Sequence, residues 1–390
     1  MAKHPFDIAI VGAGPAGCRL ACRMAAAGAR VAIVDGSHPR EKPCGGGVTG
    51  RALDLVRDAL DEAATPRVDV RAASLAHGTS RADVALRPRP ERDTPVLVVA
   101  SRRDFDGALY AAALRAGAEP VAARVTAIAP EASGWALTTT ERTIRADWLI
   151  GADGAGSFVR RTVARPFARA DLSIATGFFV HGCSGRDITI AFENTPPGYL
   201  WAFPRPDHLA VGVCAQADRS TPAMLLPPAE KWIAEHLRGP IRMDRYSWPI
   251  PSLRASTIER EQPSGARWLL LGDAGGMVDP ITREGIFFAL VSADCAADSL
   301  LAGDDAAARY ASLVRGSIYS ELLRAARLKE AFFSPRFISL LIRALQTSAR
   351  IRDVMADLIG GQQSYRGLRR RLLRTFEMRL MRDAMLGFRL

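Results

Sequence analysis

The sequence predicts an α/β protein, in full an α+β one: a parallel-sheet nucleotide-binding domain interleaved with an antiparallel-sheet domain, then a helical C-terminal region. Three observations predict it. The opening run FDIAIVGAGPAGCRLACRMAAAGARVAIVD (residues 6–35) reads as a buried strand, a glycine turn, an amphipathic helix and a second strand, the Rossmann-type pattern. Two later segments, WLIGADGAGSFVRR (148–161) and WLLLGDAGGMVDP (268–280), are again apolar strands that run into Gly/Asp turns. Strand-rich stretches separate these pieces, so the two domains alternate along the chain. At 390 residues the chain is long enough for both.

The remaining elements follow in order. Residues 51–63 predict a helix. From 66 to 100 short strand-like pieces are broken by HG and RPRP and end in PVLVVA. Residues 104–117 predict a helix, followed by short strands with turns at EASGW and TERT. Residues 168–262 are strand-rich, with DITIAFE, YLWAFP and LAVGVCA the clearest pieces. A long helix follows residue 280, and everything after about 304 reads as helical and arginine-rich. The expected nucleotide-binding domain therefore comprises residues 1–65, 101–167 and 263–303. The antiparallel sheet takes 66–100 and 168–262, and the helical region takes 304–390.

Composition is that of an ordinary globular protein, 48% hydrophobic and 24% charged. The net charge of +11 comes almost entirely from arginine and draws the protein toward anionic surfaces. No nucleic-acid partner is expected. The six cysteines, at 18, 22, 44, 183, 214 and 295, contain no CxxC pair, which excludes the zinc and redox-dithiol classes; no metal is expected. Cys18 and Cys22 lie one helical turn apart on an apolar face, where small buried thiols are common. The start MAKHPFDIAIVGAG leads straight into a strand and leaves no room for a signal peptide. No apolar run reaches the ~18 residues that span a bilayer. The expectation is a cytoplasmic monomer, or one peripheral on a membrane.

Chemistry begins at Gly12-x-Gly14-x-x-Gly17, with Pro15 and Ala16 between the last two glycines. Glycines there let the backbone turn tightly and approach a pyrophosphate at the positive end of the helix. Asp35, closing the second strand, is placed to accept hydrogen bonds from a ribose. This unit alone does not separate FAD from a nicotinamide.

The segments at 148–161 and 268–280 look like the DG and GD fingerprints of the FAD-dependent, p-hydroxybenzoate hydroxylase-like fold. The resemblance implies FAD contacts from Asp153, Gly154, Gly272, Asp273, Gly275, Gly276 and Pro280, with Asp273 holding the ribityl-side hydroxyls. SRRDFDGAL (101–109) resembles that fold's RxxFDxxL helix, whose arginine, here Arg102, faces the cofactor. Taken singly, Asp153 and Asp273 also read as helix caps.

KPCGGGV (42–48) and PPGYLWAFP (196–204) closely resemble the PCGGG loop and YxWxFP motif of the geranylgeranyl reductase family. The resemblance implies a catalytic loop, Cys44, Gly45, Gly46 and Gly47, beside the flavin ring, with Lys42 toward the cofactor. It implies a substrate cavity lined by Tyr199, Trp201 and Phe203, which as core aromatics would look the same. A bare-backbone loop would let a flat ring and a flat alkene stack. The family saturates double bonds in prenyl chains with hydride from reduced FAD plus a proton. An isolated alkene has no carbonyl to absorb the hydride's charge, so the proton must come from beside the flavin. Cys44 and a held water are the two candidates. No second nucleotide-binding unit is visible, so NAD(P)H would bind transiently or a ferredoxin would serve as electron donor.

One departure stands out. After Pro280 such enzymes carry GEGI, whereas this chain reads TREGI: Gly285 and Ile286 are kept, but Arg283 replaces a glycine. Its charge would face the anionic reduced flavin or point into solvent. His181, a lone histidine on a strand, reads as structural. The tail 366–390 is basic and amphipathic, suited to an anionic membrane holding an isoprenoid lipid substrate, or to packing on the body. Two rival functions remain. One is a monooxygenase or halogenase of the same fold, against which stands the missing WxWxIP of flavin halogenases; the other is a non-catalytic prenyl-lipid binder.

Overall fold

A computed structural model describes residues 4–60, 65–88 and 94–375. The far part of the predicted membrane-contact tail, 376–390, lies outside the described residues. The nucleotide domain is an eight-stranded sheet. Its central strands Thr143–Gly151, Phe6–Val11, Val31–Val34 and Glu119–Val121 run parallel, with Trp268–Leu270 parallel to Thr143–Gly151 on the other side. FDIAIV and VAIV are continuous apolar runs because both faces of a parallel sheet are covered. One cover is Pro15–Ala26, packed against Ile286–Leu301 and Arg102–Arg115. Pro15 opens that helix at a position where its missing N–H costs nothing.

The second domain is a seven-stranded sheet in the order Arg242–Pro251, Leu172–His181, His208–Gln216, Pro197–Pro204, Ile188–Asn194, Ala72–His77 and Ser80–Ala85. It is antiparallel except at one joint: Ile188–Asn194 runs parallel to Ala72–His77, where the two separated sequence segments meet. The segment 66–100 divides. Its middle strands join this sheet, whereas Arg67–Asp69 and Leu97–Ala100 form a small antiparallel sheet with Gly47–Thr49. That small sheet carries the glycine loop on its edge.

One element escaped the strand-rich expectation for 168–262. Pro222–His236 is a helix despite Pro227 and Pro228 inside it, residues that ordinarily break one. Burial of Leu225, Ala229 and Ile233 against the sheet holds it in place. The helical C-terminal region braces the nucleotide domain. The hydroxyls of Tyr310 and Tyr319 each donate to a carbonyl of the GD turn, those of Leu270 and Gly275, at 2.7 Å. The amphipathic helix Pro335–Thr347 lays Ile338, Ile342 and Leu345 over the outer strands of the second sheet. Tyr365–Leu373, the described start of the tail, buries no residue and leaves Leu373 60% exposed. Among the described residues no helix is long and apolar enough to cross a membrane.

Candidate functional site

Two openings draw on the segment 42–47: Lys42 lines one and Cys44–Gly47 the other. The first is a polar cleft of about 680 Å³. Its floor is the first glycine turn. A Cβ on Gly17 would lie 1.9 Å from the Gly12 carbonyl oxygen, so helix and strand approach that closely only with glycine there. Gly14 differs. Its φ of −77° suits any residue, and a Cβ there would meet no protein atom within 4 Å. Its smallness answers to whatever the cleft receives, which fits a dinucleotide pyrophosphate laid on the bare helix start. Arg40, Lys42, Arg124 and Arg161 line the same cleft and suit its negative charge.

The cleft also gathers Gly12, Pro15, Ala16, Asp35, Arg102, Asp153, Gly154, Gly272 and Asp273. Asp35 accepts from the Ala13 N–H at 3.0 Å and the Ser37 N–H at 2.8 Å, and pairs with the His38 ring at 2.8 Å. Burial works to raise its pKa, but His38 and these donors hold it well below the usual carboxylate range. Arg102 is 3% exposed, and its fork is bonded to Asp106 at 2.8 and 2.6 Å, with His38 completing the cluster. Asp153 accepts from the backbone of Phe158 and Val159 and from Ser157, so it caps the helix Phe158–Val163 while facing the cleft. Lys42 donates to Asp273 at 3.2 Å across the cleft. Gly17, Gly275, Gly276, Pro280, Gly285 and Ile286 line neither opening. A Cβ on Gly285 would come 3.2 Å from the Asp273 carboxylate.

The second opening is an apolar cavity of about 200 Å³. Cys44, Gly45, Gly46 and Gly47 form one wall, and Tyr199, Trp201 and Phe203 another. The loop's glycines have a reason that the sequence did not disclose. A Cβ on Gly45 would strike the Phe203 ring at 2.9 Å, and one on Gly47 would sit 3.2 Å from it. Gly46, at φ +81°, has the Ala100 carbonyl 2.4 Å from its Cβ position. The bare backbone thus makes room for the protein's own ring and sheet.

Residues that sequence reasoning missed fix this loop. Arg205 is completely buried; it pairs with Glu41 and donates to the Cys44 carbonyl at 2.5 Å. Glu41 also accepts from Ser101 and the Arg102 N–H, tying the loop to the cleft helix. The sequence carried no signal for Arg205, because a single arginine after a strand has no periodicity to mark it. The Gly46 N–H points at the Cys44 sulfur, 3.4 Å away. Tyr199 donates to the Thr282 carbonyl at 3.0 Å, and burial pushes its phenol well above the ordinary range. His181 pairs with Asp244 on the sheet surface, away from both openings.

Known proteins resemble this chain in sequence and in fold. A family model described as "FAD binding domain" matches residues 5–213. The menaquinone reductase of Mycolicibacterium smegmatis is 27% identical over 383 residues, 91% of each chain. The digeranylgeranylglycerophospholipid reductase of Methanothrix thermoacetophila is 28% identical over 352 residues, 84% of this chain and 87% of that protein. A solved geranylgeranyl bacteriochlorophyll reductase-like protein of Thermoplasma acidophilum superposes with a TM-score of 0.77 at 21% identity, covering 96% of this chain and all of that one. The flavin-dependent brominase Bmp2 shares the fold at a TM-score of 0.66 and 20% identity, over 95% of this chain and 98% of that one.

Proposed function

We propose a function from one premise: the chain belongs to the FAD binding domain family. It is an FAD-dependent oxidoreductase, and we infer that it saturates carbon–carbon double bonds of an isoprenoid chain. The observation that carries the inference is the apolar cavity, in which Cys44–Gly47 face Tyr199, Trp201 and Phe203 two residues from a cleft lysine. The names of the two reductase relatives support a lipid-like substrate.

The glycine turn at 12–17 would hold the FAD pyrophosphate, and Asp35 and Asp273 its hydroxyl-bearing parts. Bound there in its reduced form, FAD would supply the hydride. The protein's residues do the rest. The aromatic wall excludes water and lays the chain flat, which is worth most where an unactivated alkene must be held in one orientation. The second alkene carbon takes a proton from the Cys44 thiol, whose sulfur accepts from the Gly46 N–H, or from a water held beside it. The alkene gains a hydride and a proton, and the two electrons come ultimately from a nicotinamide or a ferredoxin.

The test is anaerobic. Enzyme reduced with dithionite and given a geranylgeranyl substrate should reoxidise as products heavier by two hydrogens per double bond form. Cys44→Ser should slow that step more than it weakens binding, because proton donation matters only in the transition state. Products that form only in air and carry oxygen would sink the reductase reading in favour of a monooxygenase.

A further inference from the structure

One cation that lines the apolar cavity, Arg283, has no ion-pair partner among the described residues. Arg283 lies in the loop that follows Pro280, at φ 62°, a left-handed conformation costly for any residue but glycine. The loop holds it there: its N–H donates to the Asp279 carbonyl, and the Asp279 carboxylate accepts from Ile281 and Thr282. The side chain lines the cavity with Tyr199, Cys214 and Ile281. Its Nε and Nη1 are buried with no hydrogen-bond partner among the described residues. The adjacent carboxylate, Glu284, is committed to Thr49 and Arg51.

A second cation makes the imbalance worse. Lys329, on the helix Ser320–Phe332, donates to the neutral acceptors Gln216 and Ser252. Its ammonium is disfavoured by burial and then by the charge of Arg283. Arg283 is half-buried beside the Cys214 thiol, and taking two guanidinium nitrogens out of water without an acceptor is costly unless something completes them. A strained backbone that aims such a group into a substrate cavity points to a ligand.

We propose that Arg283 recognises an oxyanion, carboxylate or phosphate, carried by the isoprenoid substrate, which enters the cavity head first. The proposal rests on the isoprenoid reading above. It adds an orientation. The cavity, at about 200 Å³, falls below the roughly 300–1,000 Å³ of sites that bury a ligand whole. It therefore takes only part of a long chain. Cys44 and Arg283 line that same small space, so a head anchored at Arg283 sets the first isoprene units over the glycine loop.

The experiment uses flavin-loaded, full-length protein and three matched probes: farnesol, farnesoic acid and farnesyl phosphate, with inorganic phosphate alongside. Calorimetric titration should find both anionic chains at least tenfold tighter than farnesol, and inorganic phosphate far weaker than either. Arg283→Gly relieves the strained backbone and so should fold. It should erase the anionic preference, weakening the two charged chains at least tenfold more than farnesol. In single turnover, the double bond nearest the head should be reduced before the terminal one. Equal affinity of charged and neutral chains overturns the assignment, as does a preference that survives in Arg283→Gly. So does terminal-first reduction. A lowered flavin midpoint potential in Arg283→Gly with the preference intact would assign the charge to the cofactor instead. If none of the chains binds, it is the isoprenoid reading itself that falls.

Discussion

The cleft and the cavity are each built on a glycine-rich turn, yet the glycines of the two turns face different neighbours. At Gly14 the Cβ direction is empty and φ is ordinary, so nothing in the protein requires glycine. At Gly45, Gly46 and Gly47 the Cβ directions are filled by Phe203 and the Ala100 carbonyl. The first turn is shaped for a guest, and the second is shaped by the fold that surrounds it. The charges differ in the same way. The cleft's acids are each matched by nearby donors, whereas the cavity carries a guanidinium with two buried nitrogens unpartnered among the described residues. A binding turn built from backbone can be filled by a cofactor with little rearrangement. A cavity assembled from side chains of distant strands and helices owes its shape to packing.

The sharpest way to break this comparison is to add side chains to both turns. Gly14→Ala should cost no more than about 0.5–1 kcal/mol, since its Cβ meets no described protein atom within 4 Å and only the capping preference for glycine is lost. The same protein should purify as colourless apoprotein. Gly46→Ala should do the reverse. It forces a left-handed residue against a backbone carbonyl and should cost on the order of 1–3 kcal/mol in chemical unfolding, while flavin content of the folded fraction persists. If both variants behave alike, the two turns are not distinguished by what fills them.

A smaller effect sharpens the cleft half. Asp273 faces the cleft with Lys42 3.2 Å away. Asp273→Ala should remove a charge-assisted hydrogen bond to bound FAD of about 1.5–3 kcal/mol, roughly a 10- to 150-fold loss of affinity. Unchanged flavin affinity by fluorescence titration would leave Asp273 as a partner of Lys42 alone.

The same contrast explains what the sequence disclosed. The turn at 12–17 was legible because its three glycines, helix and acid are contiguous, and each does a separate geometric job. The strand–turn–helix segments at 148–161 and 268–280 were legible for the same reason. The aromatic wall could be read as a pair on one strand face, Tyr199 and Trp201, but not as a cavity, because its other sides come from residues as far apart as Leu75 and Ile359. Arg205 and Glu41 were invisible: their pairing spans 164 positions and has no local pattern. The cluster of Asp35, His38, Asp106 and Arg102 was half visible, since Arg102 and Asp106 stand one helical turn apart. The helix Pro222–His236 was hidden by its own prolines.

The finest test separates the two regions by pH. Asp35 in the cleft and Lys329 behind the cavity both have depressed pKa values, but in different windows. For Asp35 the unfolded chain holds its proton more tightly than the folded one, so its stabilisation is present above the ordinary carboxylate range and is lost as pH falls through it. Lys329 is lowered from 10.5 to about 7 by burial and by Arg283. Below pH 7 both folded and unfolded chains carry the ammonium, and folding bears the full burial penalty. As pH rises from 7 toward 10.5 the folded chain releases the proton first, and stability climbs by roughly 1.4 kcal/mol per pH unit. Lys329→Met removes that titration while the cysteines and tyrosines elsewhere titrate as before. The stability of wild type relative to Lys329→Met, measured by urea unfolding at pH 7.5, 8.5 and 9.5, should therefore rise steadily. Arg283→Gly should make the rise begin at higher pH, because it withdraws the second cause of the depression. Parallel profiles for wild type and Lys329→Met would mean that the amine keeps its ordinary affinity for the proton, and that the positive field behind the cavity is already screened.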